Sequence, residues 1–302
     1  MADTLLSKYG KYFQEMTKVS TAASKIDETC DYQEANEATK MYMNMLVRDA
    51  MLPDSCLNNS ENFKAFYDAV TKEGKHGLIM LEHFSNMDLP GLIYLLQKHG
   101  EDWSTDLADR IVAIAGMKLN EADAGIRAFT ECFSRVVVYP SRSLAAFESR
   151  DISEEEKEEE AKRAKKINFA AMRAMDGCKR RGQVIAVFPS GTRYRPGKPE
   201  TKKGLREMDS YLRLFDIMIL VSINGNCLRI NPESPDNMLS DLVVPDKITM
   251  TASPIIECKK FRNDILAKLP ADCPDPKVET VAAVMKVLED LHEETEKKLS
   301  SK

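Results

Sequence analysis

The chain has 302 residues, enough to bury a substantial core in one large domain with an appendage or in two ordinary domains. Its 43% hydrophobic and 30% charged residues argue against a disordered chain, and a net charge of -5 gives no reason to expect nucleic acid as a partner. Seven cysteines, odd in number, scattered and without C-x-x-C spacing, read as free thiols in a reducing compartment and not as a zinc site.

The opening stretch, Met-Ala-Asp-Thr-Leu-Leu-Ser-Lys, lacks the apolar run of a secretory signal, so export is not expected and the mature chain is expected to be the whole chain. No apolar run approaches the roughly 18 residues that span a bilayer. The best, at 217–223, is strand-length. A cytoplasmic protein is expected, and peripheral contact with a membrane surface stays open.

Up to residue 74 the pattern is helical. Leu5, Leu6, Tyr9, Tyr12, Phe13, Met16 and Val19 recur at three- and four-residue intervals, and Met41, Met45 and Leu46 continue the habit. Pro53 interrupts it, and Phe63, Phe66 and Tyr67 mark a third segment. These stripes are read as the core of a small bundle, making 1–74 an N-terminal helical domain.

After Gly74 short apolar runs alternate with helices, at 78–81, 111–115, 136–139, 184–188, 217–223 and 248–251. That is the grammar of an α/β domain over 75–302, with a mixed, largely parallel sheet flanked by helices. Ser153 and Glu156 have capping-box spacing and should open a long helix. Glu158 with Lys162, and Glu159 with Arg163, stand four apart on its solvated face. The last segment, 278–299, sets Val278, Val281, Val284 and Leu288 on one face and is expected to pack on the sheet.

Chemistry concentrates in two places. In the first, the run 78–81 leads into Glu82-His83-Phe84-Ser85-Asn86-Met87-Asp88, then Leu89-Pro90 and a helical pattern. Proline is favoured at a helix start, so Asp88 should lie at or beside the N-cap, with His83 at the carboxyl end of a strand. Open α/β sheets bind ligands at that end. A short loop lets Asp88 accept a hydrogen bond from one ring nitrogen of His83, leaving the other to take a proton from a substrate hydroxyl. His76, His99 and His292 lie in no comparable loop.

In the second, the strand at 184–188 stops at Pro189 and opens into Ser190-Gly191-Thr192-Arg193-Tyr194-Arg195. Paired guanidinium groups grip phosphate oxygens, and Gly191 lets the backbone come close.

The segment His83 to Asp88 resembles the histidine, four residues, aspartate motif of the glycerolipid acyltransferases, and Phe-Pro-Ser-Gly-Thr-Arg at 188–193 is similar to their third block, usually Phe-Pro-Glu-Gly-Thr-Arg. Ser190 followed by Arg193, Arg195 and Pro196 looks like the soluble, plastid-type glycerol-3-phosphate acyltransferases, which also carry an N-terminal helical domain of about this size. The resemblance covers most of residues 75–260 in block order. In the second block, 136–143, Arg142 takes the place of the family's lysine and Ser143 that of its histidine. The fourth, at 219–223, lacks the usual proline, leaving Val221 and Ser222 as weak candidates to line an acyl site.

The resemblance implies transfer of an acyl group from a thioester to the C1 hydroxyl of glycerol 3-phosphate. His83 held by Asp88 is the expected base, Arg193, Arg195 and Arg142 hold the phosphate, and Ser190 and Gly191 shape the site or supply oxyanion donors. No cofactor or metal is called for. The donor is acyl carrier protein or acyl-CoA. Lys179, Arg180, Arg181, Lys198, Lys202, Lys203 and Arg206 form a basic concentration that would suit an acidic carrier protein. Two rivals remain, a lysophosphatidate acyltransferase making phosphatidate and a non-catalytic phosphoester-binding module. Neither Gly-x-Ser-x-Gly nor a nucleotide-type phosphate loop occurs.

Overall fold

The computed structural model describes residues 2–301. The chain forms α1 (Leu5–Val19), the short strand β1 (Tyr32–Gln33), α2 (Glu37–Ala50), β2 (Cys56–Asn58) and α3 (Ser60–Lys72). Next come β3 (Gly77–Leu81), α4 (Asp88–His99), α5 (Asp102–Arg110), β4 (Ile111–Gly116), α6 (Lys118–Glu121), α7 (Ala124–Thr130) and β5 (Arg135–Val138). Helices α8 (Ser141–Glu148) and α9 (Glu154–Arg180) lead to β6 (Val184–Val187), α10 (Met208–Leu214) and β7 (Ile217–Asn224). The chain closes with β8 (Leu228–Arg229), β9 (Leu242–Val243), β10 (Thr249–Ala252), β11 (Ile256–Glu257), α11 (Cys258–Leu266) and α12 (Pro276–Ser300).

The fold is α/β, with mixed, largely parallel strand pairing flanked by helices. Each of the six strands expected after residue 74 is present to within one residue at either end; β3, β6, β7 and β10 are buried throughout, and β4 and β5 are partly exposed only at Ile114, Gly116 and Val138.

The chain divides into two compact units, each assembled from separated stretches. Residues up to Lys8, Met45–Ile111 and those from Gly182 onward form the first, and Tyr9–Asn44 with Val112–Arg181 the second. The boundary expected at residue 74 therefore falls inside the first unit. Strand pairing explains why. Strand β2 lies parallel on β10, with Cys56 opposite Thr249 and Asn58 opposite Thr251. A partner so distant in sequence leaves no trace in local periodicity.

In the first unit the strand order is β6-β3-β7-β10-β2, with β11 also on β7. The central β3 runs parallel to both neighbours, Leu78 facing Ile185 on β6 and Met218 on β7. Gly77 is required here, since a Cβ at that position would come within 2.6 Å of the Phe66 ring on α3. Helix α12 packs on this sheet as expected. Val281, Val284 and Leu288 are buried, Asn224 Nδ2 donates to Glu296 Oε2 at 2.8 Å, and Thr295 Oγ1 donates to Thr251 Oγ1 at 3.1 Å. Val278, in its first turn, is exposed.

In the second unit β1 and β4 flank β5. Its core gathers Ile26, Met117, Val137, Tyr139, Ala164 and Ile167. The capping box of α9 is complete, the Ser153 N–H donating to Glu156 Oε2 at 3.0 Å and the Glu156 N–H to Ser153 Oγ at 3.2 Å. Lys162 pairs with Glu158 at 3.4 Å, but Arg163 passes over Glu159 for Glu160 at 3.2 Å and Glu121 at 2.5 Å. Along α1 the expected stripe holds at Tyr9, Phe13 and Met16. On α2 Thr39 and Met43, in this unit, and Leu46, Val47 and Ala50, in the first, are buried, while Met41 is exposed.

Candidate active site

The wholly buried β3 ends at Leu81, and the Glu82 N–H extends its pairing to the Val221 carbonyl at 3.1 Å. Beyond that the chain must turn, and Asp88 closes the turn. As the first residue of α4, its Oδ2 accepts the backbone N–H of Phe84 at 2.7 Å and of Ser85 at 2.8 Å. Its Oδ1 takes the Ser85 hydroxyl at 2.9 Å. Pro90 is the third helical residue, where the missing N–H leaves no bond unmade.

The same Oδ2 lies 2.9 Å from His83 Nδ1. A carboxylate only accepts, so Nδ1 carries the proton and the lone pair sits on Nε2. Among the described residues Nε2 has no hydrogen-bond partner. The imidazole stacks on Phe188 with centroids 3.7 Å apart and planes 10° apart, and its side chain keeps 14% of its surface exposed. Three constraints thus fix this ring: the carboxylate, the stacked phenyl, and a backbone bond in which the Tyr194 N–H donates to the His83 carbonyl at 2.6 Å. The last two come from the arginine loop, so the first unit brings the two sequence motifs together.

Within that loop Gly191 has φ +61, and a Cβ there would stand 2.2 Å from Leu205 Cδ1. Only glycine fits. Its N–H donates to the Phe188 carbonyl at 2.9 Å and the Ser190 hydroxyl donates to the Thr192 carbonyl at 2.7 Å. The Gly191 N–H and the Ser190 hydroxyl are thus engaged within the turn, where both residues shape the loop.

The arginines are also engaged. Arg193 is buried and its Nη1 donates to Asp241 Oδ2, while Arg195 Nη1 donates to Asp236 Oδ1 at 2.8 Å. Asp241 is fully buried and also accepts Asn86 Nδ2 at 3.3 Å. One carboxylate therefore ties the His83–Asp88 loop to the arginine loop. Burial holds the Asp241 carboxyl above its ordinary pKa, with the Arg193 guanidinium pulling the other way. Arg195 is the more open, its side chain 25% exposed, and Asp236 is largely in solvent.

A second dyad lies beside the first. Glu82 is buried, and its Oε2 accepts the Ile223 N–H at 2.9 Å and faces His292 Nδ1 on α12 at 2.8 Å. That hydrogen bond to Glu82 raises the His292 pKa against the effect of burial. Phe84 bridges the region, its ring 5.6 Å from His292 and edge-on to Tyr194 at 6.1 Å. Lys202 lies over Tyr194 at 4.8 Å from the ring centroid.

The remaining sites fare differently. Val221 and Ser222 are interior residues of β7, Val221 opposite Leu81. Arg142 is exposed in the first turn of α8 and Ser143 follows it half-buried, both in the second unit. The basic concentration divides. Lys179, Arg180 and Arg181 belong to the second unit, where Arg181 lies over the Tyr32 ring at 5.0 Å, and Lys198, Lys202, Lys203 and Arg206 to the first. Sequence reasoning missed Asp241 and the Glu82–His292 dyad. Asp241 carries no local signal at all, whereas Glu82 was readable as an acid adjoining the candidate base.

Compared with models of known protein families and with curated proteins, the chain matches none. Among the described residues no helix is long and apolar enough to cross a membrane.

Proposed function

We propose that the chain is an acyltransferase that moves a fatty acyl group from a thioester, on acyl carrier protein or CoA, to the sn-1 hydroxyl of glycerol 3-phosphate, giving lysophosphatidate. The observation that carries this reading is the 2.9 Å contact between His83 Nδ1 and Asp88 Oδ2, which leaves Nε2 basic and unpartnered at the carboxyl end of a central parallel strand. The substrate comes from the motif resemblance.

In this mechanism Nε2 takes the hydroxyl proton as the oxygen attacks the thioester carbonyl. The C–S bond then breaks, and the thiolate leaves with the proton returned from His83. Acceptor and donor exchange the acyl group directly, so no acyl-enzyme is needed. Asp88 fixes the tautomer and balances the imidazolium formed in passing.

Phosphate recognition falls first to Arg195, whose solvent-exposed partnership with Asp236 is worth only about 0–1 kcal/mol and yields to a dianion. Arg193, clamped by Asp241, contributes through the rest of its fork. Holding the phosphate positions the hydroxyl, and such positioning supplies several kcal/mol of barrier lowering.

Offering glycerol 3-phosphate and lysophosphatidate in parallel, each with acyl carrier protein and CoA donors, tests the acceptor. Lysophosphatidate formed from glycerol 3-phosphate is expected. Phosphatidate as the sole product would move the assignment to the second acylation step, and no product from either acceptor would remove it.

A further inference from the structure

Helix α9 runs 27 residues and turns Ala164, Ile167, Ala171 and Met175 inward. Its other side is unusual. Phe169 is 61% and Met172 is 52% exposed, one turn apart, and no packing need explains either. Around them Lys162, Lys165, Lys166, Arg173 and Arg180 are exposed as well. At about 100° per residue these positions share one face. The Arg173 guanidinium lies over the Phe169 ring at 5.1 Å from its centroid, its aliphatic stem beside the aromatic surface.

Charge is segregated along the same helix. Residues 154–160 hold six glutamates and one lysine, while 162–180 hold seven cations and a single carboxylate, Asp176, paired with Lys179 at 2.7 Å. In a chain of net charge -5 this is a concentrated positive field around two protruding apolar side chains.

We propose that this face of α9 docks the protein on a bilayer surface containing anionic phospholipid. Phe169 and Met172 enter the headgroup boundary while the lysines and arginines remain at phosphate level, the arrangement of interfacial helices. The glutamate-rich first turns are repelled, so the helix meets the surface at its C-terminal two-thirds. A second copy of the chain fits poorly, because a two-fold contact would set these cations against themselves. An acidic protein fits less well than a membrane, since one convex helix offers little of the roughly 800 Å² per partner that a specific interface uses. The inference does not depend on the proposed acyl transfer, and its test needs no turnover.

The full chain is sedimented with phosphatidylcholine vesicles, with and without about one third phosphatidylglycerol. Binding is expected only with the anionic vesicles and should weaken as salt rises. Lys165→Glu with Lys166→Glu should lower the partition coefficient at least about tenfold. Phe169→Gln with Met172→Gln should lower it several-fold at unchanged charge. All four side chains are exposed, so circular dichroism should match the wild type. The proposal is overturned if the wild type stays in solution with anionic vesicles, if neither double variant weakens binding, or if the charge-reversed variant loses only a salt-sensitive complex with acyl carrier protein.

Discussion

Arg193 and Asp241 form a buried ion pair, 48 residues apart in sequence, on a carboxylate that also holds Asn86 of the histidine loop. A guanidinium that sequence assigns to substrate is thus also a brace between the two loops that make the site. The double role constrains what substitution can reveal, because removing either partner leaves a charge in a dry place.

Asp241→Ala should destabilise the protein by about 3–5 kcal/mol in urea unfolding, since Arg193 is then buried without its counterion. Adding Arg193→Met should restore much of that loss. If the single variant unfolds at the wild-type midpoint, the brace is not structural.

Asp88→Asn keeps the shape of the loop but puts a neutral amide where His83 Nδ1 and two backbone N–H groups meet one carboxylate oxygen. The imidazolium formed in the proposed reaction then loses its counter-charge. On the proposed mechanism kcat should fall by about 10²–10⁴-fold, with acceptor KM changing far less. A tenfold rise in KM at constant kcat would instead make Asp88 a binding residue.

The bond to Glu82 gives His292 a folded pKa above its unfolded value of 6.5, with Lys202 opposing and Glu296 supporting the shift. A raised histidine pKa stabilises the protonated native state. That contribution is complete below pH 6.5 and is lost as pH rises through the folded pKa. The unfolding free-energy difference between wild type and His292→Gln should therefore shrink as pH rises through the neutral range. A difference that grows with pH would contradict this pairing.

Thiol reactivity should follow burial. Cys56 is exposed, whereas Cys132, Cys178, Cys227 and Cys258 are buried. Desolvation pushes the Cys227 and Cys258 thiols up to about 12 and raises those of Cys132 and Cys178. A neutral disulfide reagent should modify Cys56 first in the native protein and reach the buried four only after denaturant is added. Early modification of Cys227 would mean that its surroundings open readily.

Gly191→Ala forces a side chain into the left-handed region and against Leu205. A cost of about 1–3 kcal/mol is expected, with the 188–195 loop displaced from His83. Since Tyr194 and Phe188 both hold the His83 residue, activity should fall further than stability alone explains.

Short-range pattern carried most of the strands and the long helices into view, because apolar runs such as 217–223 and the Ser153–Glu156 box are decided by neighbours in sequence. The His83–Asp88 contact was legible for the same reason, its partners being five residues apart. What escaped depends on closure over distance. Strand β2 joins β10, Asp241 finds Arg193, and His292 reaches Glu82 across 210 residues. Composition also cannot show that the Gly191 N–H is engaged by its own turn.

The central claim is that His83 is the base. Single-turnover transfer to glycerol 3-phosphate by wild type and His83→Ala, with folding verified for both, addresses it most directly. A loss of about 10²–10⁴-fold in the chemical step is predicted. Equal rates for the two proteins would contradict the account.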